Sequence, residues 1–306
     1  MSWDLAAALA DVGRDVRAAV GTPRGAEDAV VVRTAGGDDV FGVDARADEV
    51  LIESLGSRCG GRWPGTLVVE GFDDPVAVGD PAGPWRYIAD PVDGSRPWLW
   101  GVRPAWVLLG AGRGATCLQA LEVGACVELP TSSTGMPLAA WAVRGDGPPR
   151  TDGAPLVPLT GPTLDHRFVS VMRYAVGTKA AIGAWEDEVL AGLHTYEDQY
   201  LSTGGLLMEI ARGRQAAAFD PRPLVVPDGM ASHPYDLAGW VVAAAAGVVV
   251  ESLGSGAMGA IDAPLDTSTA VAWAAYANDE VADVLRERVR AARRPATPAT
   301  APPGTG

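Results

Sequence analysis

Three short runs in the first half of the chain restrict its fold more than anything else in the sequence: Thr66-Leu67-Val68-Val69-Glu70, Trp85-Arg86-Tyr87-Ile88-Ala89-Asp90 and Ala105-Trp106-Val107-Leu108-Leu109. Each is rich in β-branched and aromatic residues and is followed by turn formers. Apolar runs of this length bounded by Gly, Pro and Asp read as strands buried on both faces. Strands of this kind alternate with helical segments along the chain, and that alternation suggests layered α/β packing. Two of the three runs end on an acid, Glu70 and Asp90.

Helices to cover such a sheet are present. Leu5, Leu9, Val12 and Val16 recur at helical spacing over 3–20, a stretch closed by Gly21 and Pro23. A second helix is predicted over 44–56, with Val43, Val50, Leu51 and Leu55 near one face and Asp44 as its N-cap. Further strands are expected at 116–129 and 138–144, then a Gly/Pro-rich connection at 145–158. The second half alternates: helices at 178–192 and 203–212, a strand at 215–220, a Pro-containing loop, a helix opened by Asp236-Leu237-Ala238-Gly239, strands at 248–250 and 269–276, and a helix over 278–292. The whole reads as one unit over 1–293, with an N-terminal half at 1–160 and a C-terminal half at 161–293. Residues 294–306, all Arg, Pro, Ala, Thr and Gly, are expected to be a disordered tail.

Charge narrows the partners. Lys plus Arg total 24 against 38 for Asp plus Glu, a formal net charge of −14. A field of that sign opposes nonspecific nucleic-acid binding, so no nucleic acid is expected as a partner. Lys179 is the only lysine, and Schiff-base chemistry would have to rest on it. Cys59, Cys117 and Cys126 have neither disulfide-framework nor zinc-ribbon spacing. The N-terminus lacks the basic region of a secretory signal, and no stretch has the roughly 18–20 apolar residues of a membrane span. A cytoplasmic protein with no membrane partner is expected.

The sharpest local feature is Asp90-Pro91-Val92-Asp93-Gly94-Ser95. A strand here delivers two carboxylates into a turn that then goes helical. Two Asp side chains, the Val92 carbonyl and the Ser95 hydroxyl are hard oxygen donors of the kind Mg²⁺ takes. Gly94 allows close backbone approach, and the amides of Gly94 and Ser95 point from a helix start toward an anion. The same residues also suit a plain Asp-Gly turn with Asp93 capping a helix. Glu70 and Asp236, each at the end or start of a predicted element, add two more acids.

Together, Glu70 at a strand end, Asp-Pro-Val-Asp-Gly-Ser, and Asp236-Leu237-Ala238-Gly239 before an Ala-rich helix and Gly-Val-Val-Val resemble the inositol monophosphatase family of the Mg²⁺-dependent, lithium-sensitive phosphatase superfamily, which includes fructose-1,6-bisphosphatase. The order of elements is similar from the first helix to about Ala292. The resemblance implies a five-layer αβαβα sandwich that hydrolyses a small cyclitol, sugar or nucleotide-type phosphate with two or three Mg²⁺ ions, as a homodimer. Glu70, Asp90 and the Val92 carbonyl would hold one ion, and Asp90, Asp93 and Asp236 a second. Glu70 and Ser95 would position the water, and Asp44 would orient the Ser95 hydroxyl. Phosphate would rest on the Gly94 and Ser95 amides, with Asp93, Thr203, Gly204 and Asp220 on the substrate.

The sequence departs from the family pattern in four places. Gly71 stands where a second Glu is usual, Ser95 replaces Thr, Tyr235 replaces Trp, and the stretch from Asp220 to Asp236 looks longer than in inositol-specific members. The run from Arg96 to Trp106 is rich in Arg and Trp. It suits core packing plus a dimer surface, or a site where Arg96, Arg103 or Arg222 meets a second anionic group. A fructose-1,6-bisphosphatase-like or 3′-phosphoadenosine-phosphate phosphatase-like enzyme would use such a site. A non-catalytic phosphate- or metal-binding homologue is the alternative from a different class.

Overall fold

The computed structural model describes residues 2–35, 38–174, 177, 179–227, 229–253 and 261–292. The predicted tail at 294–306 lies outside them. Helices α1 (Ser2–Val20) and α2 (Gly42–Cys59) flank a hairpin of β1 (Val31–Ala35) and β2 (Asp38–Phe41). The larger sheet contains β3 (Gly65–Val69), β4 (Val76–Val78), β5 (Trp85–Asp93), β6 (Ala105–Arg113), β7 (Val123–Leu129), β8 (Ala139–Val143) and β9 (Arg150–Thr151), in the order β4-β3-β5-β6-β7-β8-β9. Only β3 and β5 run parallel in it. Helix α3 (Ser95–Leu99) follows β5 directly.

The smaller sheet is made of β10 (Val169–Val171), β11 (Ala217–Asp220), β12 (Val249–Ser252) and β13 (Trp273–Tyr276), in the order β10-β11-β13-β12. The remaining helices are α4 (Lys179–Val189), α5 (Thr203–Ala211), α6 (Arg222–Val225), α7 (Trp240–Ala245) and α8 (Asp279–Ala292).

Three apolar interfaces stack these elements into five layers. Leu5 and Leu9 of α1 and Leu51 and Leu55 of α2 pack on Leu67, Val107, Leu109 and Val127 of the larger sheet. On its other face, Leu206 and Ile210 of α5 and Val241 and Val242 of α7 fill the space between Leu108 and Ala140 above and Ala218 and Trp273 below. Helices α4 and α8 close the stack, with Ile182, Val189, Leu285 and Val289 against Phe219, Ala274 and Tyr276. The side-chain alternation of a strand explains the continuous apolar runs: Val107 and Leu109 face one interface, Trp106 and Leu108 the other. Each such buried side chain contributes about 1.5–3 kcal/mol. The αβαβα sandwich expected from the sequence is the architecture observed.

Several boundaries differ from expectation. The β1–β2 hairpin leaves no burial pattern in the sequence, because Val31 and Val32 are 48% and 52% exposed. The predicted strand at 116–129 is a 3₁₀ turn at Leu118–Ala120 followed by β7. The helix expected from Asp236 is a 3₁₀ turn at Pro234–Leu237, interrupted at Gly239 before α7. Among the described residues no helix is long and apolar enough to cross a membrane.

Candidate metal centre

Two aspartates three positions apart on a regular strand point to opposite faces. The register of β5 on β6 removes that obstacle. Asp90 lies opposite Leu108 and Asp93 opposite Trp106, so three steps on β5 match two on β6. The extra residue is a β-bulge at Pro91-Val92, which returns Asp93 to the side of Asp90. Pro91 has no N–H to lose there, and the Val92 N–H donates to Asp90 Oδ1 at 2.9 Å. Gly94 then turns the chain with φ +88°, where a Cβ would lie 2.8 Å from that of Ser202.

The third carboxylate comes from the other half of the chain. The 3₁₀ turn carrying Asp236 packs on β5 and β6, and the small residues Gly110 and Gly239 let it come within contact of the sheet. One oxygen each from Asp90, Asp93 and Asp236 then lie within 4.8 Å of one another. Asp90 is 1% exposed and Asp93 4%. Glu70 and Val92 line the same cleft, which encloses about 280 Å³.

This grouping is electrostatically costly. Burial and the charges of Glu70, Asp93 and Asp236 push the Asp90 carboxyl well above the usual carboxylate range. Burial and Asp93 do the same to Asp236. Burial pushes Asp93 up to about 6, although four donors pull the other way: Ser202 Oγ at 2.6 Å and the amides of Thr203, Gly204 and Gly205 at 3.1, 2.7 and 3.2 Å. The donor set is oxygen only, largely buried and negative. Those are the terms on which a hard divalent cation binds, and its charge would relieve the repulsion.

No family model matches the chain, and no curated protein matches it significantly in sequence. Solved structures do match in shape. The extragenic suppressor protein SuhB of Bartonella henselae superposes with a TM-score of 0.67 at 15% identity, covering 93% of this chain and 96% of that one. The Thermotoga maritima inositol monophosphatase gives 0.63 at 16%, covering 94% and 96%. A gene product described as inositol monophosphatase-fructose 1,6 bisphosphatase gives 0.65 at 16%, covering 94% and 100%. The chain has the inositol monophosphatase fold.

Within the inositol monophosphatase fold, the remaining residues nominated from sequence fall at differing distances from the cleft. Gly94, Ser95 and Thr203 line it. The amides of Thr203 and Gly204 point at Asp93, because Ser202 caps α5 and turns its first N–H groups toward that carboxylate. Asp44 lies in the first turn of α2, past its predicted cap position, and accepts from the Phe41 N–H at 2.8 Å. It is not among the described residues lining the cleft. Gly71 has φ +81°, so a second Glu there would need a left-handed backbone.

Asp220 differs most from expectation. It is fully buried and its carboxylate is filled from within the protein: Arg222 Nε at 2.8 Å and Nη2 at 2.7 Å, the Arg222 amide at 3.1 Å, and the Ser232 hydroxyl and amide at 2.8 and 3.1 Å. It fixes the segment before Asp236 instead of reaching into the cleft. No sequence pattern signals this pairing, since α6 folds Arg222 back over a residue only two positions earlier.

The aromatic run also divides. Trp98 and Trp106 are fully buried, donating to the Pro130 carbonyl and the Tyr200 hydroxyl, while Trp100 is 72% exposed. His233 lines the cleft, with its ring stacked on Tyr235 at 5.3 Å between centroids.

Proposed function

We propose that the chain is a Mg²⁺-dependent phosphomonoesterase acting on a small cyclitol, sugar or nucleotide-type phosphate. The observation that carries this is the cluster of buried Asp90 and Asp93 with half-buried Asp236, opening on a cleft. Those three carboxylates, with Glu70 and the Val92 carbonyl, would hold Mg²⁺. Bound there, Mg²⁺ supplies positive charge that activates water and offsets the charge of the phosphoryl group. The names of the structural neighbours support the same reaction class.

The residues of the chain divide the remaining work. Glu70 and Ser95 line the cleft beside the cluster and would orient the water. The water oxygen bonds to phosphorus, the ester P–O bond breaks, and the alcohol leaves with a proton derived from the water. Ser202 and the α5 amides keep Asp93 in place throughout. No covalent enzyme intermediate is required.

Phosphate release from a panel of monoesters, with and without Mg²⁺, tests the proposal. Wild type is expected to turn over at least one ester only when Mg²⁺ is present, and Asp93→Asn to lose that activity. Equal release by both proteins would overturn the role of the cluster. Gly71, where a second acid is usual, favours one other reading, a non-catalytic metal- or phosphate-binding protein. Mg²⁺ binding by calorimetry without turnover of any ester would establish it.

A further inference from the structure

Ser232, 2% exposed, stands in the loop between Asp220 and Asp236. Its hydroxyl oxygen is 2.8 Å from Asp220 Oδ2 and from Thr203 Oγ1, and 3.1 Å from Trp273 Nε1. Those partners belong to β11, α5 and β13. Arg222 Nη2 approaches the same oxygen only at 3.4 Å.

The number of protons fixes which group donates. A serine hydroxyl has one proton and two lone pairs. Asp220, gripped by the Arg222 guanidinium, accepts, so the Ser232 proton points at Oδ2. The Trp273 N–H can only donate and takes one lone pair. The Thr203 hydroxyl therefore donates to the other, the nearer of its two acceptors, since Met172 Sδ lies at 3.7 Å. Thr203 is thus held at both ends, its hydroxyl on Ser232 and its amide on Asp93 Oδ1 at 3.1 Å.

Ser232 also leads into the turn of the third carboxylate. The next amide, that of His233, donates to Asp236 Oδ2 at 2.6 Å, and the Ser232 carbonyl accepts from the Val271 N–H at 2.8 Å. One buried hydroxyl therefore ties the segment of Asp236 to the helix start that grips Asp93, with the Asp220–Arg222 pair as its fixed base. Mg²⁺ tolerates little error in ligand spacing, because it requires near-octahedral oxygens at about 2.0–2.1 Å.

We propose that Ser232 is a positioning residue that sets, through the Thr203 hydroxyl, the separation of Asp93 and Asp236 and hence the Mg²⁺ affinity of the centre. This rests on the metal reading above and adds to it a residue outside the ligand set. Loss of a supporting hydrogen bond of this kind weakens metal binding by about 10- to 100-fold.

Titration calorimetry of the full chain with Mg²⁺ tests the role. Ser232→Ala is expected to raise the Kd about 10- to 100-fold. Thr203→Val, which keeps the shape and removes the hydroxyl, should do the same, whereas Thr203→Ser, which keeps the hydroxyl, should bind as wild type does. Because both changes cut one connection, Ser232→Ala combined with Thr203→Val should be no weaker than the weaker single variant. Val289→Ala, in the outer layer on α8, is the stability control: it should lower the Tm and leave the Kd unchanged. Equal affinity of Ser232→Ala and wild type, losses that multiply in the double variant, or the same weakening by Val289→Ala overturns the inference and leaves the metal reading intact. Absence of Mg²⁺ binding by wild type overturns both. Should Ser232→Ala fail to fold, the contrast between Thr203→Val and Thr203→Ser decides alone.

Discussion

Asp90 and Asp220 sit in comparable places and meet opposite fates. Each lies in a strand that runs toward the cleft, one in each sheet, and each is buried to within 1%. Asp220 has a guanidinium of its own chain across two hydrogen bonds, with Ser232 filling the remaining lone pairs. Asp90 faces Glu70, Asp93 and Asp236 and has the Val92 amide as a donor. A buried carboxylate paired internally is a structural post, whereas one surrounded by other acids is suited to an external cation. The difference lies in neighbours that arrive from distant parts of the chain.

That contrast can be broken by experiment, most severely at Asp90. Asp90→Asn is expected to reduce phosphate release to background in a colorimetric assay. It should also raise the metal-free Tm by about 2–8 °C, because it removes a repelling charge. Asp220→Asn should do the reverse to stability. Leaving Arg222 buried without its counter-charge costs about 3–5 kcal/mol in urea unfolding, and Mg²⁺ does not recover it.

The next effect is the cation itself. Mg²⁺ at 100 times its dissociation constant should add about 2.7 kcal/mol to wild type, with most of that gain absent from Asp236→Asn.

The pH dependence has an unusual sign. A carboxyl whose pKa rises on folding binds its proton more tightly in the native state, so its stabilising contribution is lost as pH climbs from 3.8 through about 6 at Asp93. In EDTA, the Tm of Asp93→Asn minus that of wild type should therefore grow between pH 4 and pH 7, and Mg²⁺ should shrink it. Smallest is Ser202→Ala, which removes the α5 cap and one donor to Asp93, for about 1–2 kcal/mol by thermal unfolding.

The acidic cluster was legible in the sequence because its chemistry is local: Asp90 and Asp93 share one turn, and Asp236 opens a recognisable segment. Buried strands were legible from apolar runs such as Trp106 to Leu109, whereas the five-layer order was legible only through the family resemblance. The bulge that makes Asp90 and Asp93 neighbours was not, because it is a property of the register on β6. Nor was the capture of Arg222 by Asp220, since two opposite charges two positions apart carry no sign of pairing in the sequence. That the amides of Thr203 and Gly204 donate to Asp93 was not legible either, because it depends on how α5 docks beside β5. In each case the missing information is a contact between segments far apart in sequence or a local fold-back, and neither leaves a periodic trace.

The origin of the donors around Asp93 has a consequence for how the molecule matures. Asp90 and Asp93 belong to the larger sheet, while Asp236 and the amides that grip Asp93 come from segments beyond residue 200. Neither part owns the complete set of carboxylates before the two are docked. A cation bound at this seam, as proposed, would therefore be the last component to be installed, and its uptake would act as an inspection stamp: chains whose layers have mated correctly would take it up, and misassembled ones would not.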